Sequence, residues 1–172
     1  MYKELIILRE FEIGDVTFLA SIRKDIHLQH LLLANPEEFE PKDVQAKIYD
    51  WIIKRNKMGI FRIIQKEDAS PIGFIQISNI HEKNQNGWMG LALTSSSRGH
   101  GYGTLAVKSI EEYAEKKLKL RKLLLEVRKD NFAAINLYNK LGWREVGCLN
   151  KHYNDGQLLH DVLIYERHLG AQ

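Results

Sequence analysis

An intramolecular disulfide is closed to this chain, because Cys148 is the one cysteine among 172 residues. Such a residue is expected to be a structural thiol in a reducing compartment. Long apolar runs are missing too. No stretch approaches the roughly 18 apolar residues that a membrane span requires. The opening segment MYKELIILREFEIGDV has neither the apolar core nor the small-residue cleavage site of a signal peptide. A cytoplasmic protein with no membrane partner is expected. Charge of one sign is also scarce: 25 Lys and Arg face 22 Asp and Glu, a net charge of +3. The basic residues are scattered, whereas a nucleic-acid binder gathers them in a patch or stripe, so no nucleic-acid partner is expected. No internal repeat, linker or low-complexity segment divides the chain.

What is present is ordinary globular composition, 44% hydrophobic and 27% charged. A chain of this length buries a continuous core without staples or metal. One domain over residues 1–172 is expected.

The order of elements follows from hydrophobic period and punctuation. Glu4–Arg9 reads as a strand, and a helix from Asp15 as N-cap to about Ile26 follows Gly14. After the polar loop Asn35–Pro41, Val44, Ile48, Trp51 and Ile52 recur at helical spacing within a second helix near Asp43–Arg55. The period then changes to two. Ile60–Gln65 and Ile72–Ile80 read as hairpin partners, and Trp88–Leu93 as a short strand. Thr94–Gly103 is too rich in Ser and Gly for either state. A helix over about Thr104–Leu118 comes next, with Leu105, Ile110, Ala114 and Leu118 near one face. Leu123–Val127 reads as a strand buried on both faces. The helix Asn131–Leu141 stops at Gly142. Strands at Glu145–Tyr153 and Leu158–His168 flank Asn154-Asp155-Gly156, a tight-hairpin signal. The result is a mixed α/β domain.

Between the Trp88–Leu93 strand and the next helix lies Arg98-Gly99-His100-Gly101-Tyr102-Gly103-Thr104. Alternate glycines let the backbone turn sharply and aim several N–H groups at one point. The helix that follows adds its unsatisfied N–H groups and the positive end of its dipole. Together these suit a diphosphate. The spacing is neither G-x-G-x-x-G, since Thr104 stands at the last glycine's place, nor G-x-x-x-x-G-K-[ST]. A glycine-rich turn that only connects strand to helix has the same composition.

A second cluster separates these readings. Arg98-x-x-Gly101-x-Gly103 resembles the coenzyme A loop of the GNAT superfamily, R/Q-x-x-G-x-G/A. About thirty residues on, Asn131-x-x-Ala134-x-x-x-Tyr138-x-x-x-Gly142-Trp143 resembles the family's N-x-x-A-x-x-x-Y-x-x-x-G-F segment, with Trp143 in place of Phe. The resemblance covers Leu91–Trp143, and the element order fits over the rest. It implies a single GNAT domain: a mixed central sheet of about seven strands flanked by about four helices, with the fourth and fifth strands splayed apart. It implies acetyl-CoA as co-substrate and no metal. The pantetheine arm would pair with the backbone of Leu91, Ala92 and Leu93 and meet Asn131 and Ala134. The pyrophosphate would sit on the amides of Gly99, His100, Gly101, Tyr102, Gly103 and Thr104.

The chemistry so implied is direct acetyl transfer to a primary amine. A neutral amine attacks the thioester carbonyl, and a backbone N–H of the fourth strand stabilises the oxyanion. Tyr138 matches the family's tyrosine that protonates the departing thiolate, although an aromatic packed in the core would occupy the same position. An alkylamine is protonated near neutral pH, so a base is useful. Leu125-Glu126-Val127-Arg128, followed by Asn131 and Tyr138, resembles the ribosomal-protein N-terminal alanine acetyltransferases, in which the glutamate is the proposed base. Glu126 is therefore either that base or an ordinary ion-paired strand carboxylate. Many relatives place an acidic residue early in the fourth strand, where this chain has Trp88-Met89-Gly90. Solvent or His81 would serve should Glu126 point away.

Three acceptors remain open: a polyamine, an amino sugar or a protein N-terminus. The loop Pro36–Asp43 holds four acidic residues against one lysine. It would attract a polycation, or simply favour a helix N-terminus. Tyr153–Asp161 also resembles the spermidine and ribosomal-protein acetyltransferase group. The last strands of GNAT domains often dimerise, so a homodimer or higher homo-oligomer is expected. His27 and His30 lie at i, i+3, but no further ligand completes a metal site. A non-catalytic acyl-CoA-binding or sensing module is the alternative from another class, and it leaves Tyr138 in register without a reason.

Overall fold

The change of hydrophobic period near residue 60 marks the junction between a helical layer and a sheet. The computed structural model describes residues 6–170, so Glu4 and Leu5 of the first expected strand lie outside the described residues. The chain runs β1 (Ile6–Arg9), a 3-10 turn (Ile13–Asp15), α1 (Val16–Lys24), α2 (Ile26–Leu31), α3 (Val44–Met58), β2 (Ile60–Lys66), β3 (Pro71–His81) and β4 (Asn86–Leu93). A second 3-10 turn (Ser95–Ser97) leads to α4 (Tyr102–Lys116), β5 (Lys122–Arg128), α5 (Phe132–Lys140), β6 (Arg144–Asn154) and β7 (Leu159–His168).

The strands form one seven-stranded sheet in the order β1-β2-β3-β4-β5-β7-β6. All neighbours are antiparallel except β4 and β5. That parallel pair is short, joining Asn86, Gly87 and Trp88 to Lys122, Leu123 and Leu124. Beyond it the two strands part, while β3 stays paired with β4 up to Leu93 and β7 with β5 up to Arg128. The expected splay is present.

Side chains alternate across a strand, and each face of the sheet has its own core. On one face Ile75, Ile77, Leu123 and Leu125 pack with Val107 and Ile110 of α4. On the other, Phe61, Ile63 and Phe74 pack with Leu19, Ile48 and Ile52 of α1 and α3. Ile110 and Ala114 are buried as their spacing predicts, but the face of α4 is completed by Ala106 and Val107, with Leu105 and Leu118 at its edge.

Several local expectations change in the fold. The first helix is broken at Asp25, whose backbone is extended and whose carboxylate accepts the Leu28 N–H at 2.9 Å, starting α2. Five α-helices result instead of about four. Asp15 does not cap α1 with its side chain. Its carboxylate accepts the Glu12 N–H at 2.8 Å and two Arg9 N–H groups at 2.7 Å each. The strand at Leu123–Val127 is not buried on both faces: Leu123, Leu125 and Val127 are buried, but Glu126 is exposed, because the α1–α3 layer leaves that face uncovered. The final hairpin closes through Asp155 to Leu158, with the Asp155 N–H donating to the Leu158 carbonyl at 3.1 Å, so its loop is longer than the Asp-Gly pair suggested. Cys148 is exposed on β6 and is not the structural thiol expected.

Burial pushes the Asp15 carboxyl up, but the hydrogen bonds from Arg9 and from the Glu12 N–H outweigh it, holding its pKa below the usual range. A depressed carboxylate pKa contributes stability above its unfolded value and loses it as pH falls through the folded one. Asp15→Asn should cost about 2–3 kcal/mol near neutral pH, the scale of charge-assisted hydrogen bonds. Urea titrations should show that deficit shrinking below about pH 4.

Candidate active site

The parting of β4 from β5 opens a cleft of about 860 Å³, a size usual for small-molecule sites. It reaches both faces of the sheet. Beyond Trp88 no strand among the described residues pairs with the β5 side of β4, so part of the backbone of Met89–Leu93 is left to bond whatever fills the gap. An added extended segment with amides is the natural complement.

The glycine loop closes one end. Gly99 and Gly101 have φ of +78° and +83°, left-handed values that suit glycine. Gly101 stands at the N-cap of α4 without a side chain to cap it, and no acidic residue occupies the first turn. The first intrahelical bond runs from the Leu105 N–H to the Gly101 carbonyl, so the N–H groups of Tyr102, Gly103 and Thr104 have no helical acceptor. A Cβ on Gly103 would stand 3.1 Å from Leu137 Cδ2, so glycine lets this turn lie close to α5. Arg98 is held across the end of β4, its Nε donating to the Leu93 carbonyl at 3.2 Å. These features fit a diphosphate joined to an extended amide chain, as in coenzyme A.

The structure brings most predicted residues to the cleft, among them Leu91, Leu93, Glu126, Asn131, Ala134 and Tyr138. Arg98, Gly99, Gly101, Gly103 and Thr104 line it as well. Ala92 turns into the opposite core, which leaves only its backbone near the gap. His100 and Tyr102 are also outside the lining. Their rings stack on each other at 5.9 Å, and His100 Nδ1 lies 2.8 Å from the Arg98 carbonyl. His81 is exposed at the end of β3, where its Nδ1 accepts the Asn84 N–H at 3.1 Å. His27 is exposed, and His30 packs edge-on to Tyr153.

Tyr138 enters from α5 on the α4 side of the sheet. It is 6% exposed and wedged between Trp143 and Tyr165, with ring centroids 5.7 and 6.3 Å away. Burial pushes its phenol pKa well above the ordinary tyrosine value. Asn131 caps α5, its Oδ1 accepting the Ala134 N–H at 3.3 Å, and its amide NH2 remains available to the cleft. Glu126 projects from the other face of β5, two residues past the last pair with β4.

At the opposite end of the cleft, the family resemblance implies an acceptor pocket built by the first two helices and the segment joining them; the β3 and β4 residues that complete it were not read from the sequence. Leu28, Leu31, Leu32 and Leu33 from α2 and its loop line it together with Gln76, Ser78 and Trp88. Asn79 joins them because its φ of +49° and a bulge after Ser78 interrupt the strand alternation. An Asn in an otherwise apolar alternation was the available signal.

A seven-stranded sheet split between a parallel pair, with a phosphate-suited loop on one flank, is the architecture that the resemblance implies for transferases of acyl groups carried on coenzyme A. Residues 25–143 match the model of the Acetyltransferase (GNAT) family. The chain belongs to that family, and its matched region is an acetyltransferase domain that takes acetyl-CoA as donor. It is similar to the spermidine N(1)-acetyltransferase of Vibrio cholerae, 22% identical over 85% of this chain and 83% of that protein. An N-alpha-acetyltransferase of Sulfurisphaera tokodaii is 36% identical over 39% of this chain, a match spanning only 40% of that protein's length. A crystal structure of spermidine N-acetyltransferase from V. cholerae in complex with CoA and spermine superposes with a TM-score of 0.86 at 19% identity, covering 96% of each chain.

Gly101→Ala should destabilise the fold by roughly 1–2 kcal/mol, the cost of a left-handed non-glycine residue, with no clash added, since nothing lies within 4 Å of the new Cβ. Thermal melts with and without coenzyme A would read both this loss and any weakening of the cradle.

Proposed function

We propose that the chain is an acetyl-CoA-dependent N-acetyltransferase acting on a primary amine, with Tyr138 as general acid and Glu126 as general base. One observation carries this reading: Glu126 and Tyr138 line the same cleft from opposite faces of the sheet, where β4 and β5 part. Acetyl-CoA supplies an activated thioester. The chain's own residues have three tasks. The backbone of β4 orients the extended donor and offers an N–H to the developing oxyanion. Glu126 takes a proton from the ammonium acceptor, directly or through water, so that a neutral nitrogen can attack. As the C–N bond forms and the C–S bond breaks, the Tyr138 hydroxyl gives its proton to the leaving sulfur, and the second proton of the acylated nitrogen leaves through water, which restores the phenol.

The environments suit these roles. A tyrosine phenol is protonated in the neutral range, and burial raises its pKa further, so the proton stays on Tyr138 until a strong base arises beside it. The same dry surroundings raise the proton affinity of a thiolate released beside it. Glu126 is exposed, so the acceptor and water both reach its carboxylate.

The remaining expectations belong to the same proposal: one domain over residues 1–172, a cytoplasmic setting and a homo-oligomer without nucleic-acid partners. No helix among the described residues is long and apolar enough to cross a membrane. The exposed, unbridged Cys148 suits a reducing compartment. β6 supports self-association, since it is an 11-residue strand at the sheet edge with Val146 exposed, and such edges invite covering.

Tyr138→Phe preserves the ring between Trp143 and Tyr165, so acetyl-CoA KM should change little while kcat falls about 10²–10⁴-fold. Turnover equal to that of the parent removes Tyr138 from the mechanism. Glu126→Gln should lower kcat/KM at neutral pH by roughly 10²-fold or more, and the deficit should narrow as pH approaches the acceptor's own pKa. A pH–rate profile of both proteins reads this, and a constant deficit at every pH assigns Glu126 a structural role.

A further inference from the structure

The acceptor end of the cleft carries information that the family match does not. Resting on the acetyltransferase reading above, we propose that the acceptor is the free α-amine of a polypeptide whose first side chains are uncharged, and not a polyamine. A polyamine brings several cations into the site, and each must exchange water for carboxylates or carbonyls. Among the described residues that line the cleft, Glu126 is the one carboxylate; Arg98 and Lys140 are cations.

The wall that shares the cleft with Glu126 is apolar or neutral, built from the leucines of α2 and its loop, Trp88, Gln76 and Ser78. Behind it the charge is positive. Arg55 donates from Nε to Gln76 Oε1 at 2.8 Å and lies 4.0 Å over the Trp51 ring. Arg23 lies 5.2 Å from the centroid of the same ring. Among the described residues no carboxylate pairs with Arg55, whose pKa is lowered to about 10 by burial and by neighbouring Arg23.

The acidic loop does not reverse this balance. Glu37 is bound to Arg23 at 2.7 Å, and Lys24 and Lys47 both approach the ring of buried Phe39. Glu38 and Glu40 are exposed and outside the cleft lining. A second cation on the acceptor would therefore meet leucines and a guanidinium. A peptide N-terminus suits the same wall. Its single ammonium faces Glu126, its first side chains meet the leucines and Trp88, and its amides can bond the neutral groups of Gln76, Ser78 and Asn79.

Release of free coenzyme A thiol from acetyl-CoA tests the proposal on the full chain. The acceptors are a short peptide with three uncharged N-terminal residues, its N-terminally blocked form with an internal lysine, spermidine, spermine and glucosamine. The free peptide should exceed spermidine in kcat/KM by at least about tenfold, a modest specificity difference, and the blocked peptide should be inactive. Equal or better use of spermidine, of glucosamine or of the lysine overturns the assignment. Silence with every amine, with coenzyme A still raising the melting temperature, defeats the acetyltransferase reading itself. Ser78→Asp adds a carboxylate to the wall without touching the donor side. It should move the spermidine-to-peptide ratio toward spermidine by roughly fivefold or more, and an unchanged ratio shows that this wall does not meet the acceptor.

Discussion

The short parallel contact between β4 and β5 is the constraint on which the rest of this molecule depends. Three residues of each strand are joined, and then both strands continue without each other while remaining paired to outer neighbours. A sheet interior normally leaves no backbone group unmet. Here the break exposes one side of β4 beside α5, and the elements around it take their meaning from that gap. The glycine loop and α4 begin where β4 ends. Asn131 opens α5 where β5 ends. Glu126 lies just past the last paired residue, with Tyr138 on the opposite side.

The two faces of the sheet divide the work. On the α4 and α5 face, unsatisfied N–H groups and a helix dipole suit a diphosphate, and a buried phenol stays neutral beside the gap. On the α1–α3 face, the cleft wall is largely apolar, and among the described lining residues Glu126 is the one carboxylate, with arginines behind the wall. The polarity difference follows from which helices cover which strands. α4 presents its N-terminus to the gap, whereas α2 presents leucine side chains.

Much of this was legible locally. The glycine spacing at 99, 101 and 103 and the Asn131–Trp143 segment located the donor side of the cleft, because a left-handed turn and a helix cap are made by a few neighbouring residues. The break at Asp25 was harder, since a cap competes with continued helix and depends on how α2 must lie. Asn79 was misread as one more residue of an alternating strand, because a bulge is settled by the partner strand. His100 and Tyr102 sat inside the correct motif, yet their rings turn onto each other and away from the cleft. A motif specifies backbone position, and neighbours decide where a ring goes.

By itself, then, the sequence determined the element order, the phosphate-suited loop and the family to which the chain belongs. These depend on period, punctuation and short-range hydrogen bonding, all carried by residues close in the chain. Only the tertiary structure decided that Glu126 faces the cleft, that Tyr138 is buried between Trp143 and Tyr165, and that the acceptor wall joins α2 to β3 and β4. Each of those depends on contacts between residues distant in sequence, where packing and exclusion of water set both geometry and charge.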